Sequence, residues 1–176
     1  MELELLKFPI GRWKSKLVYR ESEVREWIQD IAELPEQLEM LLKNVTENQL
    51  DCRYRPDGWT IRQVIHHIPD SHMNGYIRHK LTITQVEPTI NPYLESVWAT
   101  LEDVKTVPVH VSLQLLKSLH LRWSVFLNSL DPEEYVREYI HPEHQRKISI
   151  QESIGMYSWH GRHHLGHIKN AIENPF

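Results

Sequence analysis

Four segments of this chain carry apolar residues three and four apart, and only short stretches alternate. That pattern restricts the fold to amphipathic helices packed on one another. The first segment places Val24, Trp27, Ile28, Ile31, Leu34, Leu38, Leu41, Leu42 and Val45 on one stripe. Ser22 is its predicted N-cap, and Pro35 is expected to kink or split it, because proline lacks the N–H that a helix interior needs. The second segment begins at a capping box, Thr60 with Gln63, flanked by a hydrophobic staple of Trp59 and Val64. It carries Ile61, Val64, Ile65 and Ile68 and is expected to reach the low 80s, with a further kink at Pro69. In the third, Pro108 suits the first helical position, and Leu113, Leu116, His120, Trp123, Leu127 and Leu130 form the stripe. The fourth is expected to run from near Ile150 to near Glu173, ahead of Pro175.

The intervening sequence is punctuated by turn signals. Residues 1–20, with Phe8-Pro9-Ile10-Gly11 and Trp13, read as an extended arm packing on the body rather than a helix. Residues 46–58 are polar and end in the turn Arg55-Pro56-Asp57-Gly58. Pro88, Pro92 and Pro108 mark a connection with room for a helical turn or two, long enough for a crossover. Asp131-Pro132-Glu133-Glu134 is a turn, and residues 136–140 and 146–150 alternate around His141-Pro142-Glu143-His144-Gln145, the pattern of a small hairpin or an extended loop. With no internal repeat, low-complexity stretch or boundary linker, the expectation is one all-α four-helix bundle domain over residues 1–176.

Composition narrows the function. The net charge is −4 and no basic run exceeds three residues, which argues against a nucleic-acid surface. The apolar stretches are too short for a bilayer, and the acidic start Met1-Glu2-Leu3-Glu4 is unlike a signal peptide, so no membrane partner and a cytoplasmic location are expected. A single cysteine, Cys52, excludes an intramolecular disulfide and every cysteine-based zinc cage, and it reads as a small loop residue. Any metal must therefore be held by histidine, with or without a carboxylate.

Histidine is the residue in excess, with twelve in 176. Four of them fall in the stretch from Tyr157 to Ile168, where His160/His164 and His163/His167 are one-turn pairs, the spacing by which a helix offers two imidazoles to one ion. Measured from His160, the apolar residues of the last helix cluster between about 60° and 140°, with His164 near ~40° and His163 near about −60°. His160 and His164 thus face inward while His163 and His167 lean outward. Gly161 lies on the inner side, where a missing side chain admits a neighbouring helix. A third ligand comes from the second helix, where His67 shares a side with Thr60, Val64 and Ser71 and is preferred to His66. His72, His79, His110, His120, His141 and His144 read as core or surface residues, with His120 also able to approach the site.

These residues carry a family resemblance. Gly58-Trp59-Thr60 followed by His67-Ile68-Pro69-Asp70, together with the late Trp159-His160-Gly161-Arg162-His163-His164, resembles the DinB superfamily over nearly the whole chain, and most of all its YfiT-like branch of metal-dependent hydrolases. The resemblance implies a four-helix bundle holding one divalent metal, nickel or zinc, on His67, His160 and His164, and a homodimer. It also implies a small-molecule substrate and, by analogy with related members, a low-molecular-weight thiol such as bacillithiol as a possible co-substrate.

Three neutral imidazoles leave coordination positions open, as a reactive site requires. A hydrolase activating water is the first expectation. A metal-dependent thiol S-transferase is the alternative, and a non-catalytic metal-binding stress-response module the third reading. Asp70, His163 and Glu152 are the candidates for a general base. The aromatic residues Trp13, Trp27 and Trp98 are expected to be exposed and to support the dimer.

Overall fold

A computed structural model describes residues 3–176; Met1 and Glu2, which begin the acidic start, lie outside the described residues. The elements follow the order α1 (Leu3–Lys7), α2 (Glu21–Leu42), a 3₁₀ turn (Glu47–Asp51), α3 (Ile61–Thr84), α4 (Glu95–Trp98), α5 (Glu102–Thr106), α6 (Val109–Asn128), β1 (Glu138–His141), β2 (Arg146–Ser149) and α7 (Ile150–Glu173). The predicted capping box forms at α3: Thr60 Oγ1 accepts from the Gln63 N–H at 3.1 Å, and the Thr60 N–H donates to Gln63 Oε1 at 3.0 Å. The alternating stretches pair as an antiparallel hairpin, Glu138 opposite Ser149 and His141 opposite Arg146.

The four long helices form the bundle. α2 packs on α6 and α7, and α3 packs on the same two. α2 and α3 therefore occupy opposite corners, as do α6 and α7. The diagonal steps are made by residues 43–60 and by the segment holding the hairpin. The connection over 87–108, expected to allow a crossover, instead joins neighbouring helices. The all-α four-helix bundle is otherwise as predicted.

Several local expectations are corrected. The arm is helical at Leu3–Lys7, where buried Leu6 gives one apolar anchor. Arg20 rather than Ser22 precedes the first turn of α2, because the Glu23 carboxylate accepts the Arg20 backbone N–H. Pro108 sits at the N-cap of α6, one residue before the helix. Trp13 and Trp27 pack edge-to-face at 5.9 Å over Gly155 and are half-buried rather than exposed, whereas Trp98 is exposed as expected.

Neither internal proline splits its helix: Pro35 and Pro69 lie within α2 and α3, and both are buried. Packing outweighs one lost hydrogen bond, since each buried Leu or Ile contributes about 1.5–3 kcal/mol. Pro35 has a further effect. In an unbroken helix its N–H would bond the carbonyl four residues back, that of Ile31, and proline leaves this oxygen free inside the bundle.

Two apolar clusters make the core between the long helices, and a small third one, Ile90 with Tyr139 and Ile148, lies at the hairpin. Of the main two, one gathers Leu34, Leu38, Ile61, Ile65, Ile68, Leu116 and Ile168, and the other gathers Val24, Ile28, Ile31, Trp123, Leu127, Ile154 and Tyr157. The gap between them falls after Ile31 on α2, at His120 on α6 and at His160–His164 on α7. A layer of histidines thus separates the two halves of the core.

Candidate metal centre

His67 projects from α3, and His160 and His164 project one turn apart from α7. Gly161 lets the helices close: a Cβ there would lie 2.7 Å from Leu34 Cδ2 of α2. The three Nε2 atoms converge, with His67 Nε2 3.2 Å and His164 Nε2 3.1 Å from His160 Nε2. Their ligand atoms all lie within 4.8 Å of one another. Burial depresses the basicity of all three: His67 falls to about 4, and His160 and His164 lie well below the usual imidazole range, with the neighbouring histidines adding to the effect. All three are neutral at neutral pH.

The hydrogen bonds behind these rings fix which nitrogen carries the proton. The Ile31 carbonyl, free because of Pro35, can only accept, so His120 Nδ1–H donates to it. His120 Nε2 is then bare and accepts from His72 Nδ1–H at 2.9 Å. His72 Nε2 is bare in turn and accepts from His160 Nδ1–H at 3.0 Å. A neutral imidazole has one N–H, so His160 Nε2 must present a lone pair. His72 and His120 are themselves kept neutral by burial, His120 at about 4.

A second chain does the same for His164. The Lys7 carbonyl accepts from His167 Nε2–H at 3.1 Å, which leaves His167 Nδ1 to accept from His164 Nδ1–H at 3.3 Å. His164 Nε2 is therefore bare as well. Two bare lone pairs then face each other at 3.1 Å, an arrangement that a shared cation relieves. Two nitrogens each about 2.1 Å from one ion are about 3.0–3.4 Å apart for angles between ~90° and ~110°. The residues fit a divalent metal. The other histidine group whose nitrogens approach one another, His163, His164 and His167, fits less well, because the Nδ1 of His164 and both nitrogens of His167 are already engaged.

The helical-phase reading leaves the outer pair either behind the ligands or facing solvent, and the first holds for His167, which backs His164 at 3.3 Å. His163 and His167 are buried beneath the N-terminal arm and the 3₁₀ turn region, with Phe8 5.9 Å from His163 and Tyr54 stacked at 3.8 Å on His167. His120 does approach the site, as expected, but through His72, which the sequence places only among core or surface residues. A clue lay in His120, since a histidine in the middle of an apolar stripe needs a polar partner. His66 does prove structural, with Nδ1 2.7 Å from Ser112 Oγ.

A cavity of about 530 Å³ opens beside His160, between α3, α7, the 92–96 segment and the hairpin. Of the candidate bases only Glu152 lines it, and both its oxygens accept from Arg146, at 2.8 and 3.1 Å. His163 lies beyond His164, stacked on Trp159 at 4.5 Å. Asp70, one turn after His67 on α3, is half-buried, its pKa raised to about 6 by burial first and by Asp103 second, and it does not line the cavity. No described helix is long and apolar enough to cross a membrane.

Comparisons with known proteins find relatives over nearly the whole chain. A chain from Bacillus cereus (strain 03BB102), named "Putative metal-dependent hydrolase", is 48% identical over 163 residues, covering 93% of both chains. A similarly named chain from Bacillus mycoides is 46% identical over 168 residues, covering 96% of each. The solved structure of YfiT from Bacillus subtilis, described as "a probable metal-dependent hydrolase with an unusual four-helix bundle topology", superposes with a TM-score of 0.93 at 40% identity, covering 96% of this chain and 97% of that one. The DinB superfamily model matches residues 30–168, and the chain belongs to the DinB superfamily.

Proposed function

We propose that this protein is a metal-dependent hydrolase whose single divalent ion, nickel or zinc, is held by His67, His160 and His164. The observation that carries the reading is the pair of bare Nε2 atoms on His160 and His164, facing each other at 3.1 Å at the edge of a cavity. When bound, such an ion supplies Lewis acidity, polarising a carbonyl or phosphoryl oxygen and lowering the pKa of water. The chain's own residues prepare that chemistry. The two carbonyl-terminated histidine chains hold His160 and His164 as Nδ1–H tautomers, so neither ligand has to lose a proton or turn when the ion arrives. Trp59, 4.7 Å from the His67 ring and 6.4 Å from that of His164, covers one side. The cavity on the His160 side admits a small molecule, a volume in the usual range for such sites.

Elemental analysis is the first test: one divalent ion per wild-type chain, lost in His67→Ala and in His160→Ala, and kept in His163→Ala. Full occupancy in the first two variants refutes the ligand set. Hydrolysis of ester, amide or lactone substrates is expected to stop on chelation and return with nickel or zinc. Product that forms from an electrophile only when bacillithiol or a related thiol is added would instead make the protein a thiol transferase. A homodimer belongs to the same proposal, and sedimentation velocity tests it.

A further inference from the structure

Arg78 is the unexplained group of the cavity. It lies on the same side of α3 as His67, three helical turns further on, and is only 8% exposed. A guanidinium keeps its charge in a protein. Yet among the described residues no carboxylate pairs with it. One nitrogen, Nη2, donates weakly to the Asn91 carbonyl at 3.3 Å, and Nε has no partner. Glu152, the buried carboxylate of the same cavity, is committed to Arg146, while Glu95 and Glu143 at its rim are exposed.

Two more unpartnered polar atoms belong to side chains of the same cavity. They are the Tyr93 hydroxyl and His141 Nδ1, the latter on a ring only 7% exposed. An unpaired buried charge and unsatisfied buried donors are each destabilising, and their gathering around one cavity calls for a ligand that completes them. A planar guanidinium fork with nearby O–H and N–H donors has the geometry that receives a carboxylate or a phosphate.

We propose that the cavity beside His160 binds the anionic group, carboxylate or phosphate, of a small-molecule substrate, with Arg78 as counter-ion and Tyr93 and His141 as donors. This rests on the hydrolase reading for its purpose: the anion end anchors the substrate while the reacting bond lies towards His160. His67 and Arg78 are eleven residues apart on α3, about 16 Å at the backbone, and helical side chains lean toward the N-terminus, so the guanidinium reaches back toward His160 within the same cavity.

The test is calorimetric titration of inorganic phosphate and of succinate into the metal-loaded full chain. Wild type is expected to bind at least one of them. Arg78→Gln is expected to bind at least about tenfold more weakly with its metal content unchanged, and Arg78→Lys to fall between. His67→Ala is expected to lose the metal yet keep anion binding, so failure of the metal assignment and failure of the anion site give different results. Should Arg78→Gln not fold, the wild type alone still decides: a protected arginine Nε–H resonance must shift in the NMR spectrum when phosphate is added. The proposal is overturned if neither anion binds wild type up to about 50 mM. It is equally overturned if Arg78→Gln binds as well as wild type, or if binding disappears in His67→Ala alone, which would place the anion on the metal.

Discussion

Acid should unfold the metal-free protein well above the pH at which its carboxylates titrate. Burial holds His67 at about 4, His79 at about 3 and His120 at about 4, each below the unfolded imidazole value of 6.5. The unfolded chain therefore binds protons that the folded chain refuses. Stability is fully present above 6.5 and is lost as pH falls towards the folded values of 3 to 4. Between about pH 7.5 and about pH 5.5 each such histidine removes about 1.4 kcal/mol, so these three remove about 4 kcal/mol. That is a large share of the roughly 5–15 kcal/mol typical of a domain. His72, His160 and His164 act in the same direction, whereas the raised pKa of half-buried Asp70 opposes it through a single group. Urea unfolding of chelated protein followed by circular dichroism at the two pH values measures the difference directly. A loss below about 1 kcal/mol would show that these imidazoles are not held neutral by the fold, and that His120, His72 and His160 are not fixed as single tautomers.

Two substitutions probe the packing and the histidine chains separately. His120→Phe keeps an aromatic ring but removes the link to Ile31, and metal affinity should drop by about 10–100-fold with little change in the cavity beside His160; in the parent, nitrogen NMR of the metal-loaded protein should report Nδ1–H tautomers for His72 and His120, and an Nε2–H signal for either refutes the chain. Gly75→Ala places a Cβ 2.4 Å from Tyr157 Cζ and 2.8 Å from Trp123 Cη2, two rigid rings, so thermal or urea unfolding should show a loss of about 1–3 kcal/mol, and an unchanged stability refutes the close approach.

Local chemistry was legible in the sequence and long-range coverage was not. The Thr60–Gln63 box, the hairpin and most of the four stripes depend on neighbours within a few residues and formed as predicted, though Val45 and Leu130 fall beyond the ends of α2 and α6. The inward phase of His160 and His164 follows from α7 alone, and Gly161 from its place between them. The burial of His163 and His167 depends on residues near Phe8 and Tyr54, more than a hundred positions away, and no periodicity within α7 encodes that cover. His72 and His120 lie on different helices, and only the pairing of α3 with α6 makes them partners. Pro35 shows a different kind of illegibility. Its local rule signalled a break, while its effect in the bundle is a carbonyl left free for His120.

The Lys7 carbonyl gives the N-terminal arm a thermodynamic stake in the metal. Because His167 donates to that carbonyl, the docked arm favours the tautomer of His164 that can bind an ion. Linkage is reciprocal, so an ion on His164 must tighten the arm by the same factor by which the arm tightens the ion. Protease susceptibility near Lys7 becomes a gauge of occupancy at His164, more than a hundred and fifty residues away in the chain, and apo and loaded protein should be cut there at different rates.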